Sequence, residues 1–188
     1  MRTLLIGGAR SGKSALALRW AGERGGSDVC TLVTGTDSDP EMAARIAAHR
    51  RERPPLWRVR EEPVLLGRAL QEETGSRLVL VDCLTLWISN CLWPAGTDSA
   101  DLSGWHHQRE EFLEALRAAG GEVIIVTNEV GTGIVPDNSA ARLFRDQQGW
   151  LNQAVASICD EVYFVTAGLP LCLKPSPIPP GRTTTPSR

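Results

Sequence analysis

An α/β fold is what this 188-residue sequence predicts: a three-layer sandwich with helices on both faces of a mostly parallel central sheet. Two observations carry that expectation. Short apolar runs alternate with helical stretches along the chain, an order that implies parallel strands joined by crossover helices. The first of these runs ends in a glycine-rich loop that opens directly onto a helix.

Taken in order, Thr3–Ile6 is an apolar run closed by Gly7-Gly8 and reads as a buried first strand. Ser14 to Arg24 has helical spacing through Leu16, Leu18 and Trp20 until Gly25-Gly26 breaks it. Val29–Thr34 is a second strand. Asp39-Pro40-Glu41 marks a helix start, with an N-cap acid, a first-turn proline and a carboxylate near the positive end of the dipole. That helix must end before Pro54-Pro55. Leu56–Arg60 reads as a short strand and Pro63–Thr74 as a helix. Arg77–Asp82 is a buried strand ending in a carboxylate. Helical stretches follow near Thr85–Leu92 and Leu102–Ala119, separated by a polar loop with Pro94, Gly96 and Asp98. Glu122–Thr127 (EVIIVT) is the strongest central strand. Ser139–Ser157 is helical, Glu161–Thr166 is a strand, and Gly168-Leu169-Pro170 leads to a last strand at Leu171–Lys174.

Residues 1–174 therefore form one domain, long enough to bury a proper core. The tail over 175–188, SPIPPGRTTTPSR after Pro175 opens it, can bury little and is expected to be disordered. A net charge of −2 argues against a general nucleic-acid binder. The first apolar run is too short for a signal peptide, and no segment has the apolar length to span a bilayer. Five cysteines, an odd number without CxxC spacing, argue against a disulfide framework and for a reduced, cytoplasmic protein. The basic residues are unevenly spread. Six arginines lie from Arg45 to Arg60 with Glu52 the one acid among them, and the only lysines are Lys13 and Lys174.

The loop Gly7-Gly8-Ala9-Arg10-Ser11-Gly12-Lys13-Ser14 fits G-x-x-x-x-G-K-S, and it stands between a strand and a helix as that motif must. Its glycines let backbone N–H groups converge on phosphate, and the helix N-terminus adds partial positive charge. Lys13 would reach the β- and γ-phosphates and Ser14 would ligate Mg²⁺. The sandwich is thus P-loop NTPase-like. Asp82 ends a second buried strand on the same sheet edge and can hold Mg²⁺ directly or through water. The alternative there is a solvated strand-end acid. The cradle alone does not choose among kinases, GTPases and motors. A plain small-molecule P-loop kinase and a GTP-dependent regulatory protein both stay open, although no guanine-reading Asn-Lys-x-Asp box favours the second.

One histidine, His49, stands among those arginines. On a helix from Asp39 to about Arg53, the residues Arg45, His49 and Arg53 share a face. Flanking guanidinium groups disfavour protonation and favour a neutral imidazole at pH 7. Such a ring can attack phosphorus while arginines stabilise charge on the phosphate oxygens. Spacing alone favours the other reading, a partly buried surface histidine beside a solvated basic face. Asn128, Glu129 and Gly131, after the strongest strand, suit either substrate contact or simple turn chemistry. Trp57, Trp87, Trp93, Trp105 and Trp150 are expected in the core or at a subunit interface, and His106-His107 on a helix surface.

Together, GGARSGKS, MAARIAAHRRERPPLW, LVDCLTLWISN, VTNEVGTGIVP and ARLFRDQQGWLNQAVA occur in an order that resembles bifunctional adenosylcobinamide kinase/adenosylcobinamide-phosphate guanylyltransferases. The resemblance runs from residue 1 to about Lys174. It implies a transferase of cobalamin biosynthesis that phosphorylates adenosylcobinamide from a nucleoside triphosphate, ATP or GTP. It then transfers GMP from GTP, through a guanylyl-histidine, to adenosylcobinamide phosphate, giving adenosylcobinamide-GDP. The resemblance puts the nucleophile on His49. It gives nucleotide contacts to Gly7 through Ser14, to Thr34, Gly35 and Thr36, to Arg50, Arg51, Glu52, Arg53 and Glu61, and to Asp82. Mg²⁺ on Ser14 and Asp82 and a homotrimer whose neighbouring subunits complete the cleft belong to the same expectation. Val59-Arg60 departs from a more usual Thr-containing stretch, and Ala48 leaves His49 as a single histidine where relatives often have two. The five tryptophans named above could also pack on a corrin, although core or interface is the expected use.

Overall fold

The computed structural model describes residues 1–36, 51, 53–73, 75–95, 97 and 99–175. The expected helix start at Asp39, the residues His49, Arg50 and Glu52, and the tail from residue 176 lie outside the described residues. The elements are β1 (Arg2–Gly7), α1 (Lys13–Gly25), β2 (Val29–Val33), β3 (Arg58–Glu61), α2 (Leu66–Glu72), β4 (Leu78–Asp82), α3 (Leu84–Leu92), α4 (Leu102–Ala118), β5 (Glu122–Asn128), α5 (Ser139–Ile158), β6 (Glu161–Thr166) and β7 (Leu169–Lys174).

The strands form one seven-stranded sheet in the order β3-β2-β4-β5-β1-β6-β7. Every neighbouring pair is parallel except β6 and β7. The layers follow from strand alternation, because successive side chains point to opposite faces. Leu5, Leu78, Leu80, Ile124 and Val126 pack on one face with Leu16, Ala17 and Ala21 of α1. Leu4, Val79, Val81, Val123 and Ile125 face the other way, against α2, α3, α4 and α5. Both faces being covered, the central strands carry no polar alternation, which is why they read as continuous apolar runs.

On the second face Trp87 is the hub, its ring 5.2 Å from that of Trp105 and 5.1 Å from that of Phe112. The indole N–H groups also find partners: Trp87 donates to the Val64 carbonyl at 2.8 Å and Trp105 to Gln147 Oε1 at 2.7 Å. Trp57 is buried on the first face and donates to the Gly26 carbonyl at 2.9 Å. Trp150 is 53% exposed, and His106 and His107 lie exposed on α4.

Three elements start two or more residues away from the sequence reading. The strand expected over Leu56–Arg60 is Arg58–Glu61, because the Trp57 N–H turns back to the Pro54 carbonyl at 3.1 Å. The helix expected from Pro63 starts at Leu66, because the Glu62 carboxylate accepts from the N–H groups of Val64 and Leu65 and holds them in a turn. The last strand begins at Leu169 rather than Leu171. Ala167 and Gly168, both at positive φ (50° and 78°), make a tight reversal whose twist suits a hairpin. Pro170 is tolerated there since β7 is an edge strand.

Candidate active site

Parallel pairing brings several strand ends to one edge. Gly7 is in register with Asn128, Asp82 with Val33, and Val33 with Glu61. The Gly7–Ser14 loop opens on this edge. A side chain at Gly7 would crowd the Val165 carbonyl and come within 2.7 Å of Ser11 Oγ, so only glycine fits. Arg10 and Gly12 both take positive φ, 58° and 91°, which curls the loop back over the start of α1. A Cβ on Gly12 would lie 2.9 Å from the Gly168 Cα, and the Gly168 N–H donates to the Ser11 carbonyl at 2.8 Å. The β6–β7 reversal therefore braces the loop from outside.

The N-terminus of α1 differs from those of the longer helices. Asp101 caps α4 and Asn138 caps α5, each with its side chain on backbone N–H groups. At α1 the N-cap is Gly12, with no side-chain cap and no acid in the first turn. The first-turn N–H groups thus have no capping side chain, the arrangement that suits an anion. Lys13 is buried, and its ammonium donates to the Gly8 carbonyl at 3.0 Å. Burial pushes its pKa down, while Cys83 and Asp82 pull it back up. A phosphate in the cradle would favour the charged form. The Ser11 hydroxyl is buried with no partner among the described residues.

Asp82 is held by Arg53, whose Nη2 lies 2.9 Å from its Oδ2; the two side chains are 4% (Arg53) and 18% (Asp82) exposed. Arg53 is thereby fastened to a carboxylate that also acts on Lys13. Thr34, fully buried, uses its hydroxyl to donate to the Cys83 carbonyl at 2.6 Å and to accept the Cys83 N–H at 3.1 Å. It fixes the end of β2 to the peptide after Asp82. Gly35 and the exposed Thr36 continue from it toward the cleft, and Arg51 is exposed.

A buried polar network under this edge went unnoticed in the sequence. Asn152 Nδ2 donates to the Asn128 carbonyl at 2.9 Å, and its Oδ1 accepts from Thr127 and Gln148 at 2.8 and 3.0 Å. The Asn128 N–H donates to Thr85 Oγ1 at 3.0 Å, and the Glu129 N–H to the Gly7 carbonyl at 3.1 Å. Glu129 also accepts from the Gly131 N–H in a tight turn. The network ties β5, α3 and α5 to the first residue of the phosphate loop. Its signal was available: Gln148 and Asn152, four residues apart, interrupt an apolar face that includes Leu151 and Val155.

Among the described residues no cluster of three or more His, Cys, Asp or Glu could hold a metal unaided, and no helix is long and apolar enough to cross a membrane.

Comparison with known proteins agrees with this geometry. The family model described as cobinamide kinase / cobinamide phosphate guanyltransferase matches residues 3–173. The bifunctional adenosylcobalamin biosynthesis protein CobP of Pseudomonas aeruginosa is 46% identical over 179 residues, covering 95% of this chain and 100% of the relative. CobU of Escherichia coli, of the same description, is 37% identical over 184 residues, with 93% and 100% covered. The flagellar accessory protein FlaH from Methanocaldococcus jannaschii superposes with a TM-score of 0.53 at 11% identity, over 93% of this chain and 78% of that one, a likeness of fold alone. The chain belongs to the cobinamide kinase / cobinamide phosphate guanyltransferase family, bifunctional enzymes of adenosylcobalamin biosynthesis.

Proposed function

We propose that the chain performs both transfers at this one nucleotide site, with His49 as the relay. In the first, the γ-phosphoryl group of ATP or GTP passes to the hydroxyl of the aminopropanol arm of adenosylcobinamide, releasing the nucleoside diphosphate. In the second, neutral His49 attacks the α-phosphorus of GTP, an N–P bond forms and pyrophosphate leaves. A phosphate oxygen of adenosylcobinamide phosphate then displaces the imidazole, giving adenosylcobinamide-GDP. Without the relay, two bulky anions would have to meet directly; the phosphoramidate divides the task into two in-line displacements.

The observation that supports this reading is the Arg53–Asp82 pair, which holds Arg53 at the strand edge that carries the Gly7–Ser14 loop. Arg53 is four residues along from His49, and four residues of chain reach at most about 14 Å. Gly7, Gly8, Ala9, Arg10, Ser11 and Gly12 supply backbone to the phosphates, and Lys13 neutralises charge on them. Gly35, Thr36, Arg50, Arg51, Glu52 and Glu61 take the rest of the nucleotide, with Thr34 holding their turn in place. Ser14 and Asp82 would hold Mg²⁺, and their oxygen donors fit an ion that keeps water and phosphate in its remaining positions. When bound, the ion would offset phosphate charge. Residues 1–174 form the catalytic domain, the tail takes no part in it, and three copies assemble in the cytoplasm with neighbours completing the cleft.

Incubation with α-labelled GTP tests the relay. The wild-type chain should acquire an acid-labile, comparatively base-stable label that vanishes in His49→Ala, while that variant keeps cobinamide kinase activity. A label that survives the substitution, or loss of both activities together, contradicts the proposed division of labour.

A further inference from the structure

A second hollow adjoins the cradle. It measures about 600 Å³ and its walls include Ser89, Trp93, Val130, Pro136, Phe144 and Arg145. The partition between the two sites is short. Asn128, in register with Gly7, donates its N–H to Thr85, and Ser89 stands one helical turn beyond Thr85 on α3. Glu129 bonds Gly7, and the next residue, Val130, already lines the hollow.

The chemistry of the walls is mixed in a particular way. Trp93 and Phe144 present two tilted rings with centroids 6.4 Å apart. The loop between Val130 and Pro136 leaves Ile134 and Val135 in water, 96% and 62% exposed. Against this apolar surface stands one cation. Arg145 Nη2 donates to the Gly131 carbonyl, which fixes the guanidinium, and its Nη1 is buried without a partner among the described residues. A pocket that is largely apolar, with one fixed charged group, orients an amphipathic ligand by that group.

We propose that this hollow is the acceptor subsite, in which Trp93 and Phe144 take the apolar flank of the corrinoid and Arg145 takes the phosphate on its aminopropanol arm. The assignment rests on the two-transfer reading and adds to it where the acceptor lies and how its phosphorylated form is distinguished. The phosphate acceptor is anionic and must approach a second anion, the guanylyl group. A fixed guanidinium on the acceptor side lowers that repulsion and selects the phosphorylated corrinoid for the second transfer.

The test uses the full chain with three variants, Phe144→Ala, Arg145→Gln and the cavity-filling Ser89→Trp. KM is measured for adenosylcobinamide and for adenosylcobinamide phosphate, and binding of a fluorescent GTP analogue reports the integrity of the fold. Phe144→Ala and Ser89→Trp should raise KM for both corrinoids at least tenfold with GTP-analogue binding within twofold of wild type. Arg145→Gln should raise KM at least tenfold for the phosphorylated corrinoid and less than threefold for the unphosphorylated one, and Arg145→Lys should recover part of that loss. A purely structural arginine would not split the two substrates in this way. Unchanged corrinoid KM values in variants that still bind GTP would overturn the subsite. So would a shift in oligomeric state without a change in KM, since a second copy would then be the occupant. Absence of any corrinoid turnover by the wild-type chain would overturn the two-transfer reading and the subsite with it, whereas normal wild-type turnover with indifferent variants sinks the subsite alone.

Discussion

Replacing Arg53 by methionine keeps most of the aliphatic stem and removes the guanidinium that holds Asp82. At 2.9 Å and an effective dielectric constant of about 20, the attraction between the two charges is about 6 kcal/mol. Desolvation of both groups offsets most of it, leaving a coupling of about 2–3 kcal/mol in a double-mutant cycle with Asp82→Asn. The single variant should cost about 3 kcal/mol, because the carboxylate, 18% exposed, loses its partner. For a chain of this size that lowers Tm by about 6–12 °C. A functional consequence follows from competition, since Arg53 and the proposed Mg²⁺ require the same carboxylate. Removing the arginine should lower the Mg²⁺ concentration that half-saturates the site by roughly 30- to 150-fold, the same coupling expressed as an equilibrium constant. Urea denaturation of the four proteins gives the coupling, and Mg²⁺ titration of GTP binding gives the competition. A coupling below about 0.5 kcal/mol would show the pair to be an incidental surface contact. An unchanged Mg²⁺ dependence in Arg53→Met would remove Asp82 from the metal site.

Three further outcomes are expected. Lys13→Met should abolish phosphate-dependent stabilisation and lower both transfers by about 10²–10³-fold, while raising the stability of the nucleotide-free chain at pH 7. The folded pKa of Lys13 lies below 10.5, so the unfolded chain binds the extra proton; wild-type stability therefore gains from Lys13 as pH rises through the window up to 10.5, and thermal melts of the variant should lack that gain. Asn152→Leu strands the Asn128 carbonyl and removes the acceptor for Thr127 and one of the two for Gln148, which should cost about 2–4 kcal/mol in denaturant unfolding; retention of full stability would mean that the network is not sealed from water. Cys30, Cys91 and Cys159, their thiols pushed up to about 12 chiefly by burial, should resist iodoacetamide at pH 8 while exposed Cys172 is alkylated, as read by mass spectrometry. Since those folded values lie above the ordinary thiol value of 9.0, their contribution to stability is intact below pH 9 and is lost as pH rises toward 12, which alkaline unfolding would register.

The layers and the strand edge were legible because both depend on local pattern. A buried parallel strand such as Leu78–Asp82 announces itself as a continuous apolar run, and the P-loop spacing marks the strand edge on which the Gly7–Ser14 loop opens. The features that escaped depend on groups far apart in the chain. Arg53 and Asp82 are 29 positions apart, and Asn152 meets Asn128 across 24. Nothing within a helix-length window identifies such partners. The early start of β7 was missed for a different reason: Pro170 reads as a strand breaker, and only its place at the sheet edge, where its missing N–H costs nothing, makes it admissible.

The contact between Gly168 and Ser11 has a consequence for the order in which the molecule matures. The Gly7–Ser14 loop is synthesised more than 150 residues before the turn at Ala167–Gly168 that props it. A nascent chain halted before β7 would carry every residue of the nucleotide motif and still lack the outer wall that shapes it. The shape of the loop would therefore be complete only once the β6–β7 hairpin has been made and has closed against it.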